Sequence, residues 1–274
     1  MERVKRRIFA GTVCEQIVYP VSERAERPSE AKPRLRFRTE EERARHRDRV
    51  AEQRFCRLVN ANFDPSCYYG TLTLDAEHEV HSFDDALRLM RNYARRVLRA
   101  HPDGLILLVC GRGKSTERIH FHLLARGIPV TFGVNEAGER TVESDLIRKW
   151  GLGAVTQLRP LRAHNTYSGM DCGTDYSGLA RYLLAHWTPE QGGQRYHIYG
   201  KDLRTCDRED AAECRERYSY DRPPRPPKAP MGYKWVYVPE ATIMTEFGYQ
   251  YYKYVLLPLV NTGGRERRVI RPRF

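Results

Sequence analysis

No run of apolar residues in this 274-residue chain approaches the roughly 20 that a membrane-spanning helix needs. The N-terminal stretch MERVKRRIFAG carries charges without the long apolar segment of a secretory signal, so the cytoplasm is the expected compartment and no membrane partner is expected. None of the seven cysteines (Cys14, Cys56, Cys67, Cys110, Cys172, Cys206 and Cys214) forms a C-x-x-C pair. That excludes a zinc ribbon, and the odd, scattered set argues against a disulfide framework. The G-x-x-x-x-G-K-[ST] spacing of a phosphate-binding P-loop is missing, so a fused nucleotide-driven motor is not expected; GRGK at 111–114 reads as a hairpin turn that also offers a phosphate contact. No internal repeat of solenoid length is present.

What is abundant is positive charge. Lys and Arg number 47 against 35 Asp and Glu, a formal net charge of +12. Such an excess points to a polyanionic partner, and nucleic acid fits better than a membrane surface because no long basic amphipathic helix stands out.

Along the chain, residues 1–38 are basic and proline-containing, with a possible strand at EQIVYPV, and read as an N-terminal arm. Thr39 and Glu42 can cap an arginine-rich helix whose apolar stripe is Val50, Ala51, Phe55, Leu58 and Val59. YYGTLTLD at 68–75 alternates as a half-buried strand, and Ser82 with Asp85 can start a helix carrying Phe83, Ala86, Leu87, Met90, Ala94, Val97 and Leu98. GLILLVC at 104–110 is a continuous apolar strand that pairs as a hairpin with IHFHLLA. TVESDLIRKWG at 141–151 reads as a helix, GAVTQLRPL as a strand and DYSGLARYLLAHW at 175–187 as a helix. The order predicts an α+β fold, a split βαβ antiparallel sheet of ferredoxin-like type with helices on one face, plus N- and C-terminal extensions. Residues 39–205 would form that domain. A charged, proline-rich linker would occupy 206–230 (RPPRPPKAP extended as polyproline II), and an aromatic β-rich extension 231–274.

Within TERIHFHLLARG, His120 and His122 lie one residue apart. In a strand both project to one face while Ile119, Phe121 and Leu123 project to the other. Two adjacent imidazoles can bind a metal ion or simply line a wet face of the sheet.

With this pair in place the chain resembles the HUH endonucleases (histidine, hydrophobic residue, histidine), specifically the rolling-circle replication initiators of small phages and mobile elements. RHRDRVAEQRFCRLVNANFDPSCYYGTLTLD, ERIHFHLLARG, LIRKWGLGAVTQLRPL, GLARYLLAHW and GGQRYHIYGKDL carry the resemblance, over about residues 45–205. It implies metal-dependent nicking and joining of single-stranded DNA. Tyr182 would be the single nucleophile, with Tyr167 and Tyr176 as its rivals, and the product would be a 5′-phosphotyrosine. His120 and His122 would bind Mn²⁺ or Mg²⁺, with imidazole content favouring Mn²⁺. Relatives commonly carry a glutamate as third ligand where this chain has Gly111, leaving Asp75 and Glu117 as candidates. They often place a lysine three residues after the tyrosine, where this chain has Ala185; His186, Arg181 or Lys149 can supply that charge. DNA contacts are expected at Arg112, Lys114, Arg118 and Arg181, with an origin hairpin and host replication machinery as partners. A transposase or relaxase would use the same chemistry; a catalytically silent single-strand-binding module is the alternative from another class.

Overall fold

The computed structural model describes residues 3–20, 39–113, 117–187, 194–210, 223–244 and 249–259. The fold is α+β with antiparallel sheets and, among the described residues, four α-helices. It divides into two units: one drawn from Met1–Ala61, His164–Tyr176 and Thr205–Phe274, the other from Asn62–Ala163 and Ser177–Arg204. No helix is long and apolar enough to cross a membrane among the described residues.

The first unit is built on strands β1 (Arg3–Ala10) and β2 (Val13–Pro20), joined by a two-residue turn. Gly11 in that turn has φ +58°, and a Cβ there would fall 2.2 Å from the carbonyl oxygen of Asn60, so only glycine fits. Helix α1 (Glu40–Asn62) starts where Thr39 Oγ1 accepts from the Glu42 amide at 3.1 Å. Through Ala61 this helix belongs to the first unit. Arg57 donates to Glu15 of β2 from Nε at 2.8 Å, and Asn60 Oδ1 accepts from the Tyr176 amide at 2.7 Å.

The described part of the expected arm, residues 3–20, is therefore a paired hairpin. The expected linker is also structured at its ends. Asp207–Asp210 pairs with β1, and the carbonyls of Pro224 and Arg225 accept from Tyr254 Oη and Gln16 Nε2. The prolines keep 223–230 free of regular structure, as their missing N–H groups require, yet the segment is hydrogen-bonded to the sheet. Residues 21–38, 211–222 and 260–274 of these segments lie outside the described residues.

The second unit holds a five-stranded sheet. In chain order the elements are β3 (Tyr68–Thr73), α2 (Phe83–Ala100), β4 (Leu105–Arg112), β5 (Ile119–Arg126), β6 (Val130–Val134), β7 (Arg140–Ser144), α3 (Asp145–Arg148) and β8 (Val155–Pro160). In the first unit a small hairpin follows, β9 (Thr166–Tyr167) and β10 (Met170–Asp171). The second unit resumes with α4 (Ser177–Leu184) and β11 (His197–Gly200). The sheet runs β11-β4-β5-β3-β8, every neighbouring pair antiparallel.

Strand β5 is central, and its register with β4 sets Gly111 opposite His120 and Val109 opposite His122. With β3, Thr73 lies opposite His120 and Thr71 opposite His122. The other face of β5 carries Ile119, Phe121, Leu123 and Ala125 into the core with Met90, Tyr93 and Val97 of α2. Ser82 Oγ caps α2 by accepting from the Asp85 amide at 3.1 Å. Burying each such aliphatic or aromatic side chain contributes roughly 1.5–3 kcal/mol. Trp150, just past α3, stacks edge-on against Phe121 with centroids 5.6 Å apart and donates from Nε1 to the carbonyl of Thr73 at 2.8 Å.

Two expectations change here. The helix expected from Thr141 begins only at Asp145, capped by Ser144. Residues 140–144 instead pair with β6 around a turn in which Asn135 Oδ1 accepts from the Glu139 amide at 2.8 Å. The β-branched Thr141 and Val142 suit a hairpin, and the turn at Asn135–Gly138 supplies its geometry. Nor are the helices confined to one face. α2 and α3 cover the Phe121 side, whereas α4 stands on the histidine side. Replacing Phe121 by Ala should lower the unfolding free energy of this unit by about 3–5 kcal/mol, read as a shift in the urea midpoint.

Candidate metal centre

Three imidazoles converge on the α4 side of β5. His120 Nε2 and His122 Nε2 are 3.2 Å apart, and the ligand nitrogens of His120, His122 and His186 all lie within 4.8 Å of one another. His186 comes from the turn that continues α4, its amide bonded to the carbonyl of Leu183 at 3.2 Å. It is four residues after Tyr182, a spacing that sets both side chains on one side of a helix. Their rings are 4.8 Å apart, and each meets His122, His186 at 4.2 Å and Tyr182 at 5.5 Å between centroids.

Gly111 explains how the third imidazole fits. A Cβ at this position would lie 2.9 Å from His186 Cβ and 3.2 Å from His120 Nε2. Any side chain there would occupy the space in which the histidines meet. At this position, where the resemblance sets a glutamate in relatives, there is thus no room for a side chain, and His186 offers a third nitrogen beside His120 and His122. Asp75 and Glu117 stand outside the cluster. Asp75 Oδ1 accepts from the amides of Glu77 and His78 and from His78 Nδ1 at 2.7 Å, a local turn anchor, and the His78 hydrogen bond holds its carboxyl below the usual range. Glu117 is exposed at φ +53°, leading into β5.

Burial dominates the electrostatics. His122 is only 3% exposed, and desolvation, reinforced by the neighbouring His186 and His120, pushes its pKa down to about 3. His120 is also lowered, mainly by burial. Neutral imidazoles are the form that binds metal, so protons compete weakly here. The far side of His122 is held as well: its Nδ1 lies 3.0 Å from Tyr69 Oη and 3.5 Å from Thr71 Oγ1. Three nitrogen donors with one second-side hydrogen bond fit a divalent transition ion, whose imidazole ligands are commonly oriented through the other ring nitrogen.

Tyr182 is 47% exposed beside these buried groups, reachable by a large substrate. Tyr176 is buried in the first unit and Tyr167 lies on β9 of that unit, so neither joins the cluster. Lys149 caps α3 on the Phe121 side of the sheet. Among the expected DNA contacts, Arg181 is exposed on α4 next to Tyr182. Arg112 lies over the Phe83 ring at 5.3 Å, and Arg118 bonds Glu79 at 3.2 Å. Lys114 lies outside the described residues. Sequence reasoning had not singled out Tyr69 or Arg159, whose guanidinium sits 5.3 Å over the Tyr69 ring. His186 was visible only as a possible charge; its four-residue spacing from Tyr182, taken with the glycine at 111, was the available signal for a ligand.

Comparison of the chain with protein-family models, with curated proteins and with solved structures gives no match.

Two outcomes are expected. Gly111→Ala should weaken binding of Mn²⁺ or Zn²⁺ about tenfold or more while the far-ultraviolet circular dichroism is unchanged. For the metal-free protein, the unfolded chain binds a proton at His122 near pH 6.5, while the folded one does so only near 3. Stability is therefore present above pH 6.5 and declines as pH falls through that window. Urea midpoints should drop from pH 6.5 to 4.5, with a shallower slope in His122→Asn.

Proposed function

We propose that the chain is a metal-dependent tyrosine endonuclease of HUH type that nicks and rejoins single-stranded DNA. The observation that carries this reading is the placement of an exposed tyrosine, Tyr182, against three convergent imidazoles. Tyrosine is weakly nucleophilic near neutral pH because its ordinary pKa is about 10. It therefore needs charge neutralisation at the electrophile. His120, His122 and His186 would hold a divalent ion, which would supply Lewis-acid polarisation of a phosphate oxygen.

The chain's own groups do the rest. Tyr182 Oη attacks the scissile phosphorus, the P–O3′ bond breaks, and the phenolic proton ends on the departing 3′-oxygen. The products are a 5′-phosphotyrosine and a free 3′-hydroxyl. One phosphodiester replaces another, so the step is reversible, which suits nicking and later rejoining during rolling-circle replication. Arg181, exposed on α4 next to Tyr182, supports a contact with strand phosphates beside the nucleophile. Partners on this reading are single-stranded or hairpin origin DNA and the host replication machinery.

The strand order supports a split βαβ assignment: β3, the crossover α2 and β4 flank the antiparallel β5. The third donor being nitrogen rather than carboxylate oxygen moves the preferred ion away from Mg²⁺ and toward Mn²⁺, with Zn²⁺ a tight competitor.

Denaturing gels of labelled single-stranded origin DNA, with Mn²⁺ or with chelator, test the reading. The expected result is a Mn²⁺-dependent nick with protein on the 5′ end, absent in Tyr182→Phe and reduced at least 100-fold, on the order of a lost essential ligand, in His120→Ala. Intact DNA with salt-sensitive, metal-indifferent binding would assign the protein to the silent single-strand-binding class instead.

A further inference from the structure

The nicking chemistry draws on the second unit alone. The first unit holds an aromatic sheet face with a proline-rich segment bonded to it. The register sets Tyr254 opposite Cys14 and Tyr237, Tyr252 opposite Gln16, and Phe9 opposite Cys14, so these side chains share one face. The Tyr237 ring lies 5.6 Å from that of Tyr254 and 6.2 Å from that of Tyr252 between centroids, and Phe9 lies 6.0 Å from Trp235 in the same cluster. Residues 223–230 read PPRPPKAP. Proline fixes φ near about −65° and has no N–H, so such a segment is an extended chain of carbonyls without donors of its own at those positions. The sheet face meets two of these carbonyls in succession. Tyr254 Oη donates to that of Pro224, and Gln16 Nε2 to that of Arg225 at 3.0 Å. Pro224 is buried, whereas Pro223, Arg225, Pro226 and Lys228 are exposed. One donor of the cluster is left over: Trp235 Nε1 is buried with no hydrogen-bond partner among the described residues, and an indole can only donate.

We propose that this face is a docking groove for polyproline II segments, closed in this structure by the chain's own residues 223–230, and that its partner is a proline-rich segment of another protein. The proposal is independent of the metal site. Proline-rich segments are extended before they bind, and aromatic-lined surfaces recognise them through their rings and their exposed carbonyls. The first unit supplies the parts: clustered rings, side-chain donors aimed at successive carbonyls, a seat for one proline and a spare indole donor. The segment already seated there displays the ligand chemistry directly. A second copy of the chain is the poorer occupant, because exchanging identical segments gains no contact and costs the freedom of two molecules. A partner has to displace a tethered segment whose effective concentration is on the order of millimolar, so the groove is gated against weak ligands.

The test uses the full chain and a labelled peptide of sequence PPRPPKAP, with a control peptide in which alanine replaces every proline and the charge is kept. Fluorescence anisotropy reads binding. Fluorotryptophan incorporated at the three tryptophans gives a fluorine resonance for Trp235, assigned with Trp235→Phe. Pro224→Gly removes the buried ring and opens the groove. Wild type should take up the proline peptide only at concentrations on the order of millimolar, shifting the Trp235 resonance and leaving the other two unmoved. Pro224→Gly, with its far-ultraviolet circular dichroism unchanged, should bind about tenfold more tightly or better. Adding Tyr254→Phe to it should cost about fivefold, one lost hydrogen bond. Equal binding of the two peptides would reduce the contact to charge and overturns the proposal, as does a Trp235 resonance that the proline peptide leaves unmoved in wild type. Should Pro224→Gly fail to fold, that fluorine titration decides alone. Pro224→Gly binding no more tightly than wild type overturns the closing role of residues 223–230. A wild-type dimer in sedimentation that the peptide converts to monomer overturns the choice of partner and assigns the groove to a second copy.

Discussion

The two-residue period of one strand organises the second unit. β5 is central in its sheet, so its residues alternate between the core under α2 and the face that carries His120 and His122. Ile119, Phe121, Leu123 and Ala125 hold the strand by burial on one side. The anchored strand then presents His120 and His122 on the other with no freedom of register, since a one-residue slip would exchange imidazoles for phenyl and aliphatic groups. The core thus does more than stabilise: it sets the direction of the two imidazoles.

What completes the cluster is an omission. Gly111 sits opposite His120 in the register, and its missing side chain leaves the volume that His186 enters. Burial then keeps His122 neutral, which suits a ligand and costs stability in acid. Tyr69 and Thr71 satisfy the ring nitrogen that faces the protein, so that a nearly fully buried imidazole is not left with an unpaired polar atom. Each of these contributions comes from a different strand or helix, and none would be of use without the others.

The first unit depends on a different economy. Lys253 lies 2.5 Å from Asp175, both side chains under one-tenth exposed, and Arg57 pairs with the buried Glu15. Charges taken out of water are tolerated only when matched in this way, and removing one partner strands the other. These pairs join segments far apart in the chain, β2 with α1 and the strand Gln250–Pro258 with the loop before α4. They lie within the first unit, which groups the helix expected to open the 39–205 domain with strands from both ends of the chain.

The strand periodicities, the capping residues of α2 and the parity of His120 and His122 were legible in the sequence because they depend on neighbours two to four residues apart. The β6–β7 hairpin was misread because a strand-forming stretch ran directly into a capped helix. Asp75, at the end of the neighbouring strand, and Glu117, just before the histidines, were candidate ligands, yet Asp75 is committed to a local turn and Glu117 is exposed at a left-handed backbone position. His186 and Tyr69, from the end of a helix and a neighbouring strand, meet His122 only when the sheet is assembled. By itself the sequence determined which residues alternate and where elements begin. The tertiary structure decided which distant imidazole fills the space a glycine leaves, because that space exists only between packed elements.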